Sequence, residues 1–405
     1  INVAGGLYAN LPDDKAHELF TLPDYVKKMQ QNKWFGDKTQ QGFYKKVRGE
    51  NGKSEILALD LKTLEYRPQQ KIKSATLDAT KTVENLCDRM KVFAKGTDKA
   101  GELFRTSFFG LFEYVSDRMP EISDELYRID DALRAGFGWE LGPFEVWDAL
   151  GVKDAVDGMQ KYGNKAAPWV QTMLDAGHQS FYKVESGIRK YYDIPTKTYK
   201  PIPGTDSLII LENIRPTKTI WKNAGTTITD LGDGVINLEF HTKMNTIGGE
   251  VIQGINKAID LAEKDYRALV IGNDGANFSA GANIGMIFMA AVEQEWDEIN
   301  LAIKAFQNTM MRIRYSSIPV VAAPHNLTLG GGCELCLHAD HVQTNAETYM
   351  GLVEFGVGLI PGGGGTKEFT LRLSDELREG QIEQNALRDR FLTIATAKVS
   401  TSGEE

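Results

Sequence analysis

Apolar residues recur at helical spacing through much of the first half of the chain. In Asp24–Gln31, Tyr25, Val26 and Met29 lie on one face with lysines between them, and Ser123–Arg134 repeats the pattern with Leu126, Ile129 and Leu133. Asp154–Tyr162 and Pro168–Ala176 continue it, the second with proline at a helix start. Residues 13–35 and 72–192 therefore read as helical. Beyond about residue 217 the pattern changes. Thr226–Phe240 carries β-branched residues on both sides of Gly232-Asp233-Gly234, which predicts a hairpin. Short apolar strands at Ala268–Ile271 and Pro319–Ala323 then alternate with helices at Ile247–Glu263 and Trp296–Arg314. Such alternation predicts an α/β domain, with ligands where strands run out into loops.

Between these regions Pro195, Pro201, Pro203 and Pro216 break any helix, so the stretch from Tyr191 to Pro216 is the best boundary. The helical part holds an internal echo. Pro23-Asp24-Tyr25-Val26-Lys27-Lys28-Met29 matches Ala167-Pro168-Trp169-Val170-Gln171-Thr172-Met173, and Phe-Tyr-Lys follows each, at Phe43–Lys45 and Phe181–Lys183. The expected division is a partial helical unit over 1–60, a second copy over 72–192, a linker over 193–216 and an α/β domain over 217–405.

Composition narrows the partners. Apolar residues make up 42% and charged residues 25% of 405, the balance of a soluble globular protein. A net charge of −9 with no basic face argues against nucleic acid; short runs such as Lys45, Lys46 and Arg48 read as solvated surface. Three cysteines, Cys87, Cys333 and Cys336, support no disulfide framework and suit a reducing, cytoplasmic compartment. No apolar run reaches the roughly 18 residues of a membrane span. The chain starts at Ile1 rather than Met, which reads as a fragment of a longer polypeptide.

The chemistry concentrates in three glycine-rich loops: Asn277–Asn283, Leu329–Glu334 and Pro361–Thr366. Glycine at a helix start leaves amide N–H groups turned outward with the positive end of the dipole behind them, which suits a developing oxyanion. None has the dinucleotide spacing G-x-G-x-x-G or a Walker lysine. Glu334 directly follows Cys333 and the triple glycine, and Glu354 lies in the apolar stretch Met350–Phe355. Adding water to a double bond conjugated with a thioester needs an acid/base pair on one water and donors for the thioester oxygen. Two glutamates and glycine-loop amides supply both. Taken alone, a glutamate beside a glycine loop is more often a cap or an ion-pair partner.

Three motifs in order, Phe278-Ser279-Ala280-Gly281-Ala282, Gly330-Gly331-Gly332-Cys333-Glu334-Leu335 and Gly358-Leu359-Ile360-Pro361-Gly362-Gly363-Gly364-Gly365-Thr366, resemble the enoyl-CoA hydratase (crotonase) family over roughly residues 230–370. The resemblance implies a crotonase-like ββα spiral, Glu334 and Glu354 as the catalytic acids, and Ala282 and Gly331 as oxyanion-hole donors. It also implies substrate contacts at Ala280, Asn283, Ile284 and Gly330, with Lys243 near the CoA phosphates. The family usually has aspartate where Asn283 stands, and its closing helices extend beyond Glu405. The first half, through Gly36–Tyr44 and Gly138–Asp148, resembles the helical carboxy-terminal domains of L-3-hydroxyacyl-CoA dehydrogenases. Together they imply a piece of a bifunctional β-oxidation protein that takes an acyl-CoA substrate. The implied NAD-binding domain and catalytic histidine precede Ile1, so no cofactor is expected here. Expected partners are a second copy or a thiolase. The alternatives are an enoyl-CoA isomerase working with one acid, an NAD-dependent dehydrogenase, and a scaffold without activity.

Other signals are set aside. Cys333-x-x-Cys336 is a single pair inside the glycine motif, and His338 and His341 read as a helix end and a strand start, so no metal is expected. Trp139 and Trp147, eight apart, read as core packing near one helix face.

Overall fold

In a computed structural model, residues 2–48, 53–70, 72–83 and 85–404 are described; Ile1 lies outside them. The chain divides into two compact units, residues 1–183 with 190–202, and residues 184–189 with 203–405.

In the first unit the echo becomes a structural repeat. Helix α1 (Asp24–Gln31) buries Val26 and Met29 and is followed by the antiparallel sheet β1 (Tyr44–Arg48), β2 (Ser54–Leu59) and β3 (Tyr66–Pro68). Its counterpart, Pro168–Asp175, buries Val170 and Met173 and precedes a second three-stranded sheet. Both helices end alike. Lys33 and Gly177 take left-handed φ of 57° and 86°, and the next amides, Trp34 and His178, reach back to the Met29 and Met173 carbonyls. That geometry turns the chain off the helix and satisfies an orphan carbonyl. The sheets correct the reading of 72–192 as helical throughout, since Tyr182–Glu185 and Ile188–Asp193 are strands. Gly187, at φ 79°, turns between two runs rich in Tyr, Val and Ile, residues that favour strands.

Between the copies, α2 (Lys99–Arg118), α3 (Leu126–Phe137), α4 (Pro143–Leu150) and α5 (Val152–Lys161) build an aromatic core. Asp98 caps α2 by accepting from Ala100 and Gly101 N–H. At α4, Pro143 takes the first position and the Glu145 carboxylate accepts from Gly142 N–H at 2.8 Å. Trp147 is fully buried and stacks on Phe112 at 4.7 Å. Trp139 lies in the loop after α3, not on a helix face with Trp147; the left-handed Gly138 ends that helix first. Asp148 accepts from Phe181 and Tyr182 N–H at 2.7 and 2.8 Å, which anchors the second Phe-Tyr-Lys segment to α4.

Continuing the labels, α6 is Pro168–Asp175 and β4–β6 are Tyr182–Glu185, Ile188–Asp193 and Thr198–Pro201; α7 is Leu211–Lys218. Pro216 sits inside α7, against the expectation that it breaks any helix. It falls in the last turn, and Arg215 beside it makes a two-pronged pair with the buried Glu239 at 2.8 and 2.9 Å, which holds the turn in place.

The second unit is α/β. Its main sheet runs β13-β11-β10-β9-β8-β7, where β7 is Thr219–Lys222, β8 Thr226–Gly232, β9 Val235–Phe240, β10 Ala268–Ile271, β11 Val320–Ala322 and β13 His341–Val342. Strands β7 to β9 are antiparallel, joined at Gly232–Gly234 as predicted, and β9, β10, β11 and β13 are parallel. Helix α8 (Gly249–Asp265) covers the sheet with Val251, Ile255 and Ile259. A small parallel sheet pairs β12 (Asn326–Leu329) with β14 (Thr348–Gly351). Helices α9 (Ile284–Val292), α10 (Trp296–Arg314), α11 (Gly331–His338) and α12 (Gly365–Glu376) follow the loops. Among the described residues no helix is long and apolar enough to cross a membrane.

Candidate active site

The site forms where β12 hands over to α11. Leu329 N–H donates to Ser279 O at 2.9 Å and Ser279 N–H to Leu327 O at 3.1 Å, so the loop of the first glycine motif is stitched along β12. Gly281 then takes φ +86°. A methyl there would lie 2.7 Å from Leu329 O and 3.0 Å from Gly331 N, so only glycine lets the two loops touch. The touching loops bring the Ala282 and Gly331 amides together: a methyl on Gly331 would lie 3.5 Å from Ala282 N. Gly331 is the first residue of α11, where an amide has no intrahelical acceptor. Among the described residues neither amide donates to a protein backbone acceptor.

Glu334 is one turn into α11 and buried. Its Oε1 accepts from Gly363 and Gly365 N–H, each at 2.8 Å. These amides belong to the third glycine motif, and their grip on Glu334 went unread in the sequence. A methyl at Gly363 would collide with Phe306 and with Glu334 Oε2, which is why that position is glycine. Burial pushes Glu334 up to about 7; the Glu354 charge adds to this, while the Gly365 and Gly363 amides oppose it.

Glu354 opens a short turn after β14, and burial raises its carboxyl above the ordinary range. A methyl on Gly330 would lie 3.1 Å from its Oε1, so the second acid sits against the loop that carries Gly331. Its Oε2 is buried without a protein hydrogen-bond partner. A buried, unpartnered carboxylate oxygen is a place for a substrate or water hydrogen bond.

The remaining expected residues divide. Ala280 donates its N–H to Met244 O at 3.1 Å, which sets the Lys243–Asn245 turn beside this loop, and Lys243 is exposed there. Asn283 caps α9 by accepting from Met286 N–H at 3.3 Å, so its side chain serves the helix. Ile284 is exposed at the start of α9, and Gly330 is buried with its N–H on Gly351 O. Cys333 and Cys336 are buried thiols, and no group of three or more His, Cys, Asp or Glu among the described residues is arranged for a metal ion. His338 ends α11 and His341 starts β13.

Residues 231–378 match the enoyl-CoA hydratase/isomerase family. Over 405 residues the chain is 43% identical to a Bacillus subtilis (strain 168) protein named as a 3-hydroxyacyl-CoA dehydrogenase, covering 100% of this chain and 50% of that protein. It is 28% identical, over 91% of its length and 47% of the relative, to a Rickettsia felis protein named as a fatty acid oxidation complex trifunctional enzyme. An enoyl-CoA hydratase structure from Thermoplasma volcanium matches 45% of this chain and 68% of its own, with 23% identity and a TM-score of 0.38. The chain spans about half the length of the curated relatives it matches.

Proposed function

We propose, from a segment (residues 231–378) that belongs to the enoyl-CoA hydratase/isomerase family, that the second unit hydrates trans-2-enoyl-CoA to 3-hydroxyacyl-CoA in fatty-acid β-oxidation. The observation that carries this reading is Glu354 Oε2, buried and unpartnered beside the loop that holds Gly331, with Glu334 close enough to feel its charge. In this mechanism the Ala282 and Gly331 amides take the thioester oxygen as it becomes an enolate. One carboxylate accepts a proton from water as the water oxygen bonds to C3. The pair delivers a proton to C2, and the C2–C3 double bond is consumed. A Glu334 that titrates near 7 suits exchange of a proton in either direction at neutral pH.

An isomerase needs only one acid to move a proton, so a second unpartnered carboxylate favours hydration. The names of the relatives suit a protein in which hydration neighbours 3-hydroxyacyl-CoA dehydrogenation, with the first unit belonging to the dehydrogenase part. The test is the loss of conjugated-thioester absorbance when crotonyl-CoA is mixed with the protein. Turnover that shifts a double bond without consuming water supports the isomerase instead.

A further inference from the structure

Behind Glu334 lies another buried carboxylate that the proposed hydration does not use. Glu368, in the first turn of α12, has no exposed surface. Its Oε2 is 2.7 Å from Arg314 Nη1 at the end of α10 and 3.7 Å from Arg372 Nε. Its Oε1 is 2.8 Å from Lys367 Nζ and 3.5 Å from His338 Nε2 on α11. One carboxylate thus gathers three cations and an imidazole from three helices. Burial alone would raise its pKa, yet Lys367 and Arg314 hold it below the ordinary carboxylate range.

This cluster reaches Glu334 by two routes. His338 stands one turn beyond Glu334 on α11, with Nδ1 2.7 Å from the Glu334 carbonyl oxygen. That contact requires the proton on Nδ1, which leaves Nε2 to accept from Lys367, 3.0 Å away. A neutral ring agrees with burial, Lys367 and Arg314 lowering the His338 pKa. The other route is the main chain of the third glycine motif. Glu368 N–H donates to Gly364 O at 2.9 Å, and the flanking Gly363 and Gly365 amides grip Glu334 Oε1.

We propose that Glu368 is a positioning residue for Glu334: by tying Arg314, Lys367, Arg372 and His338 together it fixes the glycine loop that aims the Glu334 carboxylate. The proposal rests on the reading of Glu334 as a catalytic acid. Replacing Glu368 by glutamine keeps the shape but leaves three cations facing one another without an anion between them. Their repulsion moves α12 and its leading loop, and proton transfer is sensitive to displacements of about 1 Å.

The test is a cycle in the full chain: Glu368→Gln, Glu334→Gln and the double variant, each assayed with crotonyl-CoA and melted by circular dichroism. With Glu334 present, Glu368→Gln is expected to lower kcat about tenfold or more and change KM less than about twofold. In the Glu334→Gln background it should lower the residual rate no further. Equal losses in both backgrounds overturn the proposal, because a cluster that only holds the fold taxes every variant alike. If Glu334→Gln retains full rate, the acid assignment itself falls, and this proposal with it. Should Glu368→Gln not fold, the more exposed Lys367→Gln enters the same cycle. A smaller loss confined to the Glu334 background supports the proposal, and equal losses overturn it.

Discussion

At the scale of single residues the proposed hydration relies on backbone donors that side-chain substitution leaves intact. Glu334→Gln and Glu354→Gln are each expected to lower hydration by about 10² or more, the scale of positioned acid/base catalysis. The double variant should cost far less than the product of the two, because in the proposed mechanism both groups act on one water. KM should change little while the Ala282 and Gly331 amides survive. Steady-state rates on crotonyl-CoA check this, and full activity in Glu354→Gln with loss in Glu334→Gln points to a one-acid isomerase site. Gly281→Ala tests the donors instead. Its left-handed φ costs an alanine roughly 1 kcal/mol, and the methyl would press on Leu329 O. The expected result is a loss of about 10² in kcat with both glutamates untouched, as when one oxyanion donor is displaced.

At the scale of elements, Asp130 on α3 offers a test of the first unit. It is fully buried, accepts from Phe144 N–H at 2.9 Å and Tyr182 O–H at 2.7 Å, and burial pushes it up to about 7. The folded unit therefore binds a proton that the unfolded chain, with its ordinary value of 3.8, releases earlier. Stability from this group is present at low pH and is lost as pH rises through about 7. Asp130→Asn keeps an acceptor oxygen for Phe144, so its melting temperature should vary less between pH 5 and pH 7 than that of the wild type. A steeper dependence in the variant contradicts the shift. The elements also show what was legible in the sequence. Trp296–Arg314 and Ala268–Ile271 were read to the residue, and the hairpin at Gly232–Gly234 lay where turn chemistry put it, because in each the signal is local to the segment that forms the element. The sheet β1–β3 and the strands β4 and β5 were not read: their faces are mostly exposed or half-buried, so no clean alternation marks them. In the site, Glu334 and Glu354 were legible as acids in apolar stretches beside glycine. The Gly363 and Gly365 amides on Glu334 were not, since a contact across 29 and 31 residues leaves no periodic trace. Glu368 was hidden in the same way, as an ordinary charge in a mixed-charge helix.

At the scale of the whole molecule, two units with separate cores share one chain, and the proposed hydration falls in only one of them. No G-x-G-x-x-G occurs in the 405 residues, so the chain given NAD and a 3-hydroxyacyl-CoA is expected to form no NADH; fluorescence of the reduced cofactor checks it. Substrate binding should likewise respect the division. An acyl-CoA that seats its thioester oxygen on the Ala282 and Gly331 amides converts two donors that lack a backbone acceptor into hydrogen-bonded ones. It also pins the loops that Gly281 and Gly330 hold in left-handed conformations. Amide exchange slows where local opening is suppressed. Crotonyl-CoA is therefore expected to protect residues 279–284 and 329–335, and through the Glu334 carboxylate residues 363–365, while the α2–α5 core exchanges as before. The comparison is made on the intact chain, with CoA alone as the control for contacts that do not involve the acyl group. Protection confined to the α2–α5 region would move the acyl-CoA site to the first unit. Protection at 329–335 by CoA alone, with nothing added by the acyl group, would leave the two amides without the role that the hydration chemistry requires of them.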